Sequence, residues 1–252
     1  MIRVDQLLVK RGLAASRTLA QRLIAEGRVR AGDPPVPVRK PSEPLPADAP
    51  LQVDPGASDR FVSRGGLKLA GALEHCGIVV DGLVCLDVGQ STGGFTDCLL
   101  QSGAARVVGI DVGHAQLHAR IAGDPRVTAI EGVNARAIRR ADLGAAMPSD
   151  GFDLIVVDVS FISLTKVLPA LRALCAPHGR LVALVKPQFE VGPRGLDRHG
   201  IVRDAARYDE VRAAVTGCAD DCGWQVHDWL DSPITGGDGN REFFIHATRR
   251  AA

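Results

Sequence analysis

The sequence predicts a doubly wound α/β domain preceded by a small α+β module. Three observations carry that reading. From about residue 80, short near-continuous apolar runs alternate with segments of helical period, the pattern of parallel strands covered on both faces. Residues 34–55 are rich in proline and lack a sustained period, which sets the later pattern apart from what precedes it. Residues 1–40 hold nine Lys/Arg against three acids in a 252-residue chain of net charge +1, so a basic head joins a mildly acidic body.

The elements follow in order. RVDQLLVKR places apolar side chains at 4, 7 and 8, and SRTLAQRLIAE repeats the helical spacing at 19, 20, 23 and 24 with Ser16 as N-cap. Gly27 stops that helix and RVRAG follows as a short strand. Residues 34–55 read as turns and short edge strands, and the prolines of RAGDPPVPVRK are expected to distort the hairpin there. The division falls between 1–58 and 59–252. Beyond it come VCLDVG and GFTDCLLQSG, RVVGIDVG and AQLHARIAG, RVTAIEG, DLIVVDVS and SLTKVLPALRALC, RLVALVK and DAARYDEVRAAVTGCADDCG. WQVHDWLDSP and REFFIHATR read as closing strands.

At 46% hydrophobic and 23% charged residues the chain reads as a soluble globular protein. Its longest apolar runs, LIVV at 154 and LVALV at 181, are strand-sized, and the first twenty residues lack the apolar core of a secretory signal. A cytoplasmic location is expected. The six cysteines include no CxxC pair. Cys218 and Cys222 stand four apart on a helix without a finger-like partner, so idle thiols and no metal are expected.

In DVGQSTGGFTD, Asp87 ends a strand, and Gly89, Gly93 and Gly94 surround a turn into the helix starting near Phe95. Glycines there let backbone approach a ligand closely. The next strand ends in Asp111, a carboxylate placed to accept hydrogen bonds from two ribose hydroxyls. The pattern admits NAD, but the spacing is not GxGxxG. S-adenosyl-L-methionine fits better, because it has a ribose and an adenine and no pyrophosphate needing a lysine. Ser91 and Val112 complete that site, with Glu131, Gly132 or Asn134 toward the adenine; for Asn134 and Arg136 a structural role is an equal alternative.

Four further polar residues stand where apolar sequence meets a loop or starts a helix: Lys68 in SRGGLKLAGAL, Asp158 in VVDVSF, Lys186 in LVKPQFEVG and Glu242 in GNREFF. Asp158 and Lys186 emerge at the carboxyl ends of adjacent strands beside the cofactor loop. Together these four resemble the K-D-K-E tetrad of FtsJ-like ribose 2'-O-methyltransferases. The strings SRGGLKL, DVGQSTGGFTDCLLQ, DVSFISL, LVKPQFE and SPITGGDGNREF are more narrowly similar to the TlyA family, often labelled hemolysin A. Residues 1 to about 55 resemble the RNA-binding domain of ribosomal protein S-four, SRTLAQRLIAEGRV above all.

The resemblance covers nearly the whole chain. It implies a Rossmann-like methyltransferase domain, S-adenosyl-L-methionine as donor, and cytidine 2'-hydroxyls of ribosomal RNA or ribosomal subunits as acceptors. Lys68, Asp158, Lys186 and Glu242 are then the catalytic set, with Lys186 handling the hydroxyl proton. Arg3, Lys10, Arg11, Arg17, Arg22 and Arg28 form a basic stripe for RNA phosphates. A monomer is the expected state. Gln90 departs from the family, standing where a small residue is usual, and is expected to narrow the methionine pocket. Two other function classes compete. A non-catalytic RNA-binding factor on this scaffold would not need all four polar residues, and a membrane-active hemolysin would need an insertion segment that the sequence lacks.

Overall fold

The computed structural model describes residues 1–14, 16–56 and 60–250. Two compact units divide the chain, Met1–Asp59 and Arg60–Ala252; the expected boundary between residues 58 and 59 lies outside the described residues.

In the first unit β1 (Ile2–Arg3), α1 (Val4–Lys10) and α2 (Arg17–Ala25) are followed by β2 (Val29–Ala31), β3 (Val36–Pro37), β4 (Pro44–Leu45) and β5 (Leu51–Val53). Ser16 caps α2 by accepting the Leu19 N–H at 3.2 Å, and Gly27 follows with φ 70°, the left-handed exit that ends a helix. Val4 and Leu8 of α1 meet Ala20, Leu23 and Ile24 of α2 over Val29, so the two helical stripes share one core with the strand behind them. The sheet runs β3-β2-β5 and β1 pairs with β4. The prolines do not break the hairpin: Arg30 pairs with Pro37 and Ala31 with Val36. Pro37 lies on the edge strand, where a missing N–H costs no ladder bond.

The second unit contains α3 (Gly65–His75), β6 (Val84–Val88), α4 (Gly94–Gln101), β7 (Arg106–Asp111), α5 (Ala119–Ala122), β8 (Val127–Glu131), β9 (Phe152–Val157), α6 (Leu168–Leu171), β10 (Cys175–Val185), α7 (Pro187–Glu190), α8 (Ala206–Asp221), β11 (Trp224–Asp231) and β12 (Phe243–Arg249). One seven-stranded sheet has the order β11-β12-β10-β9-β6-β7-β8. The five strands from β10 to β8 are parallel, while β12 runs antiparallel to both β10 and β11. Alternate residues feed two cores. Leu86, Ile155, Leu181 and Ala183 join Val211 and Val215 of α8, whereas Cys85, Leu154, Val156 and Val182 join Leu69 of α3 and Leu99 of α4. Strands buried on both faces need apolar residues at every position, hence the near-continuous runs.

Two expected helices are shorter than their periodicity suggested. AQLHARIAG gives only α5, because Ala115 takes φ 54° and donates its N–H to Glu131 Oε1 at 2.8 Å, tying that run to the end of β8. SLTKVLPALRALC breaks into a 3-10 turn at Leu164–Lys166, α6 and a second 3-10 turn at Arg172–Leu174; Pro169, which lacks a donor, sits in the first turn of α6. The chain leaves β6 for β7 on one side and returns through β9 on the other. The sheet order therefore reverses between β6 and β9, where open α/β sheets bind ligands at the carboxyl ends.

Candidate active site

At that reversal the loop after β6 meets the loop after β9. Gly89 has φ 87°, and a Cβ there would fall 2.4 Å from the Asp158 carbonyl oxygen, so only glycine lets the two loops touch. Gly93 is the N-cap of α4, and a Cβ on Gly94 would stand 2.1 Å from Ser63 Oγ, so α4 starts flush against the segment leading into α3. Two cavities open along this line. The larger, about 490 Å³, reaches Asp111, Val112, Asn134 and Ile162; the smaller, about 240 Å³, is lined by Lys68, Phe95 and Lys186. Both include Gly89, Ser91, Asp158 and Ser160, which makes them one cleft.

The larger end is shaped by Asp111. Its Oδ2 accepts the Ser91 N–H at 2.8 Å and its Oδ1 the Gly113 N–H at 2.7 Å, which fixes the carboxylate at the cavity wall. Glu131 and Gly132 do not line the cleft. The Glu131 carboxylate holds Ala115 and His114 instead, and so shapes the loop after Asp111. Asn134 lines the cavity, and its side chain accepts the Arg136 N–H at 3.0 Å. Phe95 is buried and its ring stacks on Phe244 at 6.2 Å.

Asp87 stands below the surface of the cleft, 0% exposed. Burial pushes its carboxyl up to about 7; the Thr96 hydroxyl, donating at 2.6 Å, pulls the other way, and the Asp158 charge adds to the rise. Gln90 donates to Thr96 at 2.9 Å, completing an inward chain Gln90–Thr96–Asp87. Its amide lies over Gly109, where a Cβ would be 2.0 Å from Gln90 Cδ. Gln90 borders the smaller cavity but is turned into the protein, because β7 offers a residue without a side chain beneath it.

The four polar residues form two ion pairs. Lys68 of α3 meets Glu242 just before β12 at 2.5 Å, their side chains 10% and 3% exposed. Lys186, the N-cap of α7, lies 2.5 Å from Asp158 Oδ1 at an angle that gives no directed hydrogen bond, and donates to Ser160 Oγ at 2.9 Å. Lys68, Asp158 and Lys186 all border the smaller cavity. Glu242 enters through Lys68.

The sequence reading missed Ser160 and Phe161, although both stand in the quoted string VVDVSF. Phe161 is 91% exposed at φ 62°, an uncommon conformation for a bulky residue, and its ring centroid is 5.2 Å from that of Phe189. The loop carrying it is anchored by Glu190, which accepts the Ser163 hydroxyl at 2.5 Å and the Leu164 N–H at 2.7 Å.

In the first unit the basic stripe divides by role. Arg3 and Arg17 converge on Asp5, which is 0% exposed and also receives Gln21; these donors hold its carboxyl far below the usual range. Arg11 donates to the carbonyls of Ala47 and Ala49. Arg28 is buried against the Asp54 carbonyl and Glu26, and Arg22 pairs with Glu26 at 3.6 Å. Lys10 is exposed in the last turn of α1. Arg3 and Arg17 keep about half of their side chains in solvent, so they present charge outward while bracing the fold.

Residues 61–249 match the family described as FtsJ-like methyltransferase, and residues 2–32 match the S4 domain. Over 243 residues the chain is 43% identical to the 16S/23S rRNA (cytidine-2'-O)-methyltransferase TlyA of Mycobacterium tuberculosis, spanning 96% of this chain and 88% of that one. Hemolysin A of Brachyspira hyodysenteriae is 36% identical over 245 residues, spanning 97% of this chain and 99% of that one. The solved structure of a candidate hemolysin from Streptococcus thermophilus is similar at TM-score 0.76 and 40% identity, covering 98% of this chain and 88% of that one. Among the described residues no helix is long and apolar enough to cross a membrane.

Proposed function

Because the chain belongs to the FtsJ-like methyltransferase family, we propose that it methylates a ribose 2'-hydroxyl, of cytidine in ribosomal RNA, with S-adenosyl-L-methionine as donor. The observation that carries this reading is the pairing of Lys186 with Asp158 and Lys68 with Glu242 at one end of a cleft whose other end holds Asp111. The residues present fit the donor. Asp111 already accepts two backbone N–H groups and retains lone pairs for ribose hydroxyls, and the apolar wall of Val112, Ile110 and Ile162 suits an adenine. Gly89 and Ser91, common to both cavities, would carry the amino-acid part.

Bound there, S-adenosyl-L-methionine supplies an electrophilic methyl group on a sulfonium. The chain's own work is alignment and proton handling. Lys186, held between Asp158 and Ser160, orients the 2'-hydroxyl and relays its proton toward Asp158, assistance typically worth about 10² to 10⁴ in rate. Lys68, fixed by Glu242, presents a charge to the nucleotide phosphate. Phe161 offers an exposed ring on which an unstacked base can lie. In the first unit Arg3, Lys10, Arg11 and Arg17 are among the cations that face solvent toward RNA phosphates, a contact that positions the substrate without reading its sequence.

The test is transfer of labelled methyl to naked rRNA and to separated ribosomal subunits, with digestion to locate the label. Label on a ribose is expected, lost in Lys186→Ala while cofactor binding persists. Near-normal turnover in that variant refutes the assignment of Lys186. Absence of label on every RNA, with the donor bound, favours the binding-factor reading.

A further inference from the structure

A second group of chemically active side chains converges where neither cavity of the cleft reaches. Cys76 at the C-cap of α3, Asp228 on β11 and His246 on β12 offer ligand atoms that all lie within 4.8 Å of one another. Their meeting follows from the sheet. Asp228 and His246 are direct partners across the β11–β12 ladder, so their side chains share one face, and His246 Nδ1 is 3.1 Å from Asp228 Oδ2. The ladder steps from Val226 to Asp228, leaving His227 as the extra residue of a bulge, a device that re-aims side chains. The His227 ring centroid is 5.4 Å from that of His246, with Nε2 2.8 Å from the Thr248 hydroxyl.

A second observation concerns the same imidazole. His246 is 9% exposed, and its Nε2 is enclosed with no hydrogen-bond partner. Buried polar atoms ordinarily find one, so this imidazole, with Nδ1 turned to Asp228 and Nε2 left bare, is under-partnered for its burial.

We infer that Cys76, Asp228 and His246 form a binding site for a borderline-soft divalent metal ion, zinc foremost, which clips the end of α3 to the β11–β12 pair. A thiolate and an imidazole exclude magnesium and calcium, which take oxygen ligands, and suit zinc. Bond lengths of about 2.0 to 2.3 Å at tetrahedral angles put neighbouring ligand atoms roughly 3.3 to 3.5 Å apart. The Asp228–His246 separation of 3.1 Å is already close to that, and the 4.8 Å limit of the group requires an adjustment of about 1 Å. The clip joins the elements that carry the Lys68–Glu242 pair: Lys68 stands eight residues, about 12 Å, before Cys76 along one helix, and Glu242 immediately precedes β12.

The full chain, stripped with a chelator, is titrated with Zn²⁺ alone against a colorimetric competitor and then with Co²⁺ as a spectroscopic substitute. One equivalent is expected to bind, raising the melting temperature, and the Co²⁺ form is expected to show a thiolate charge-transfer band with tetrahedral visible bands. Cys76→Ser should abolish the charge-transfer band, His246→Gln should alter the visible bands, and each should weaken Zn²⁺ binding by roughly tenfold or more. The Cys218→Ser/Cys222→Ser double variant should leave both unchanged. As a check on the unaltered chain, Zn²⁺ should slow alkylation of Cys76 specifically. No retained Zn²⁺, or a band and an alkylation rate indifferent to Cys76, overturns the proposal.

Discussion

Lys68→Met tests whether the Lys68–Glu242 pair braces the fold as well as the site. At 2.5 Å and an effective dielectric of about 20, the attraction is roughly 6–7 kcal/mol, most of it offset by the cost of taking both groups out of water. Removing one partner discards the attraction but keeps the cost, because Glu242 remains 3% exposed. A loss of about 3–5 kcal/mol is expected. Lys68→Met with Glu242→Gln removes both charges and should recover all but about 1–2 kcal/mol, a coupling well above additive behaviour. Urea unfolding read by tryptophan fluorescence suits the question, since both tryptophans, Trp224 and Trp229, lie on β11 beside β12 and report the second unit. Methyl transfer should be lost in Lys68→Met, in Glu242→Gln alone and in the double variant, which separates the two roles. A single variant that loses less than about 1 kcal/mol, or a double variant no better than the sum of the singles, refutes the reasoning.

Gly89→Ala should cost roughly 1–3 kcal/mol and abolish cofactor binding, since its Cβ meets the Asp158 carbonyl; Gly77→Ala, also at positive φ but with nothing within 4 Å, should leave binding intact. Asp87, raised from 3.8 to about 7, holds a proton in the folded state that the unfolded chain has released. Its contribution is therefore complete below pH ~4 and lost as pH rises through about 7. Asp87→Asn should flatten that slope, seen as urea midpoints at pH 5 and pH 8 that differ less than in the parent. Arg17→Ala should weaken RNA binding and reduce its logarithmic salt slope by about 1. Arg28→Ala, whose guanidinium is buried against Asp54, should lower the melting temperature of the first unit without changing that slope.

The sequence by itself determined the elements whose signal is local. Ser16 and Gly27 bound α2 because capping and left-handed exit are decided within one turn, and the runs around Leu86, Ile155 and Val182 read as strands because burial on both faces demands apolar residues throughout. Asp158 and Lys186 were legible for a related reason: each stands where such a run ends, and strand ends in a parallel sheet face one cleft, whereas Lys68 on α3 and Glu242 before β12 stood out only through the family resemblance. Periodicity failed where a single residue redirected the chain, at Pro169 in the broken helix and at Ala115, whose N–H is taken by Glu131. Only the tertiary structure decided the pairings. It joined Lys68 to Glu242 across 174 positions, turned Gln90 inward over Gly109, and withdrew Asp87 beneath the cleft. It divided an apparently uniform stripe into arginines that brace Asp5 and backbone carbonyls and those that also face water. It likewise brought Cys76 to Asp228 and His246, although no spacing among the six cysteines suggested a ligand set. Contacts of this kind arise from sheet order, a bulge and the length of a helix, and a side chain's neighbours across the sheet leave no trace in the residues beside it in the chain.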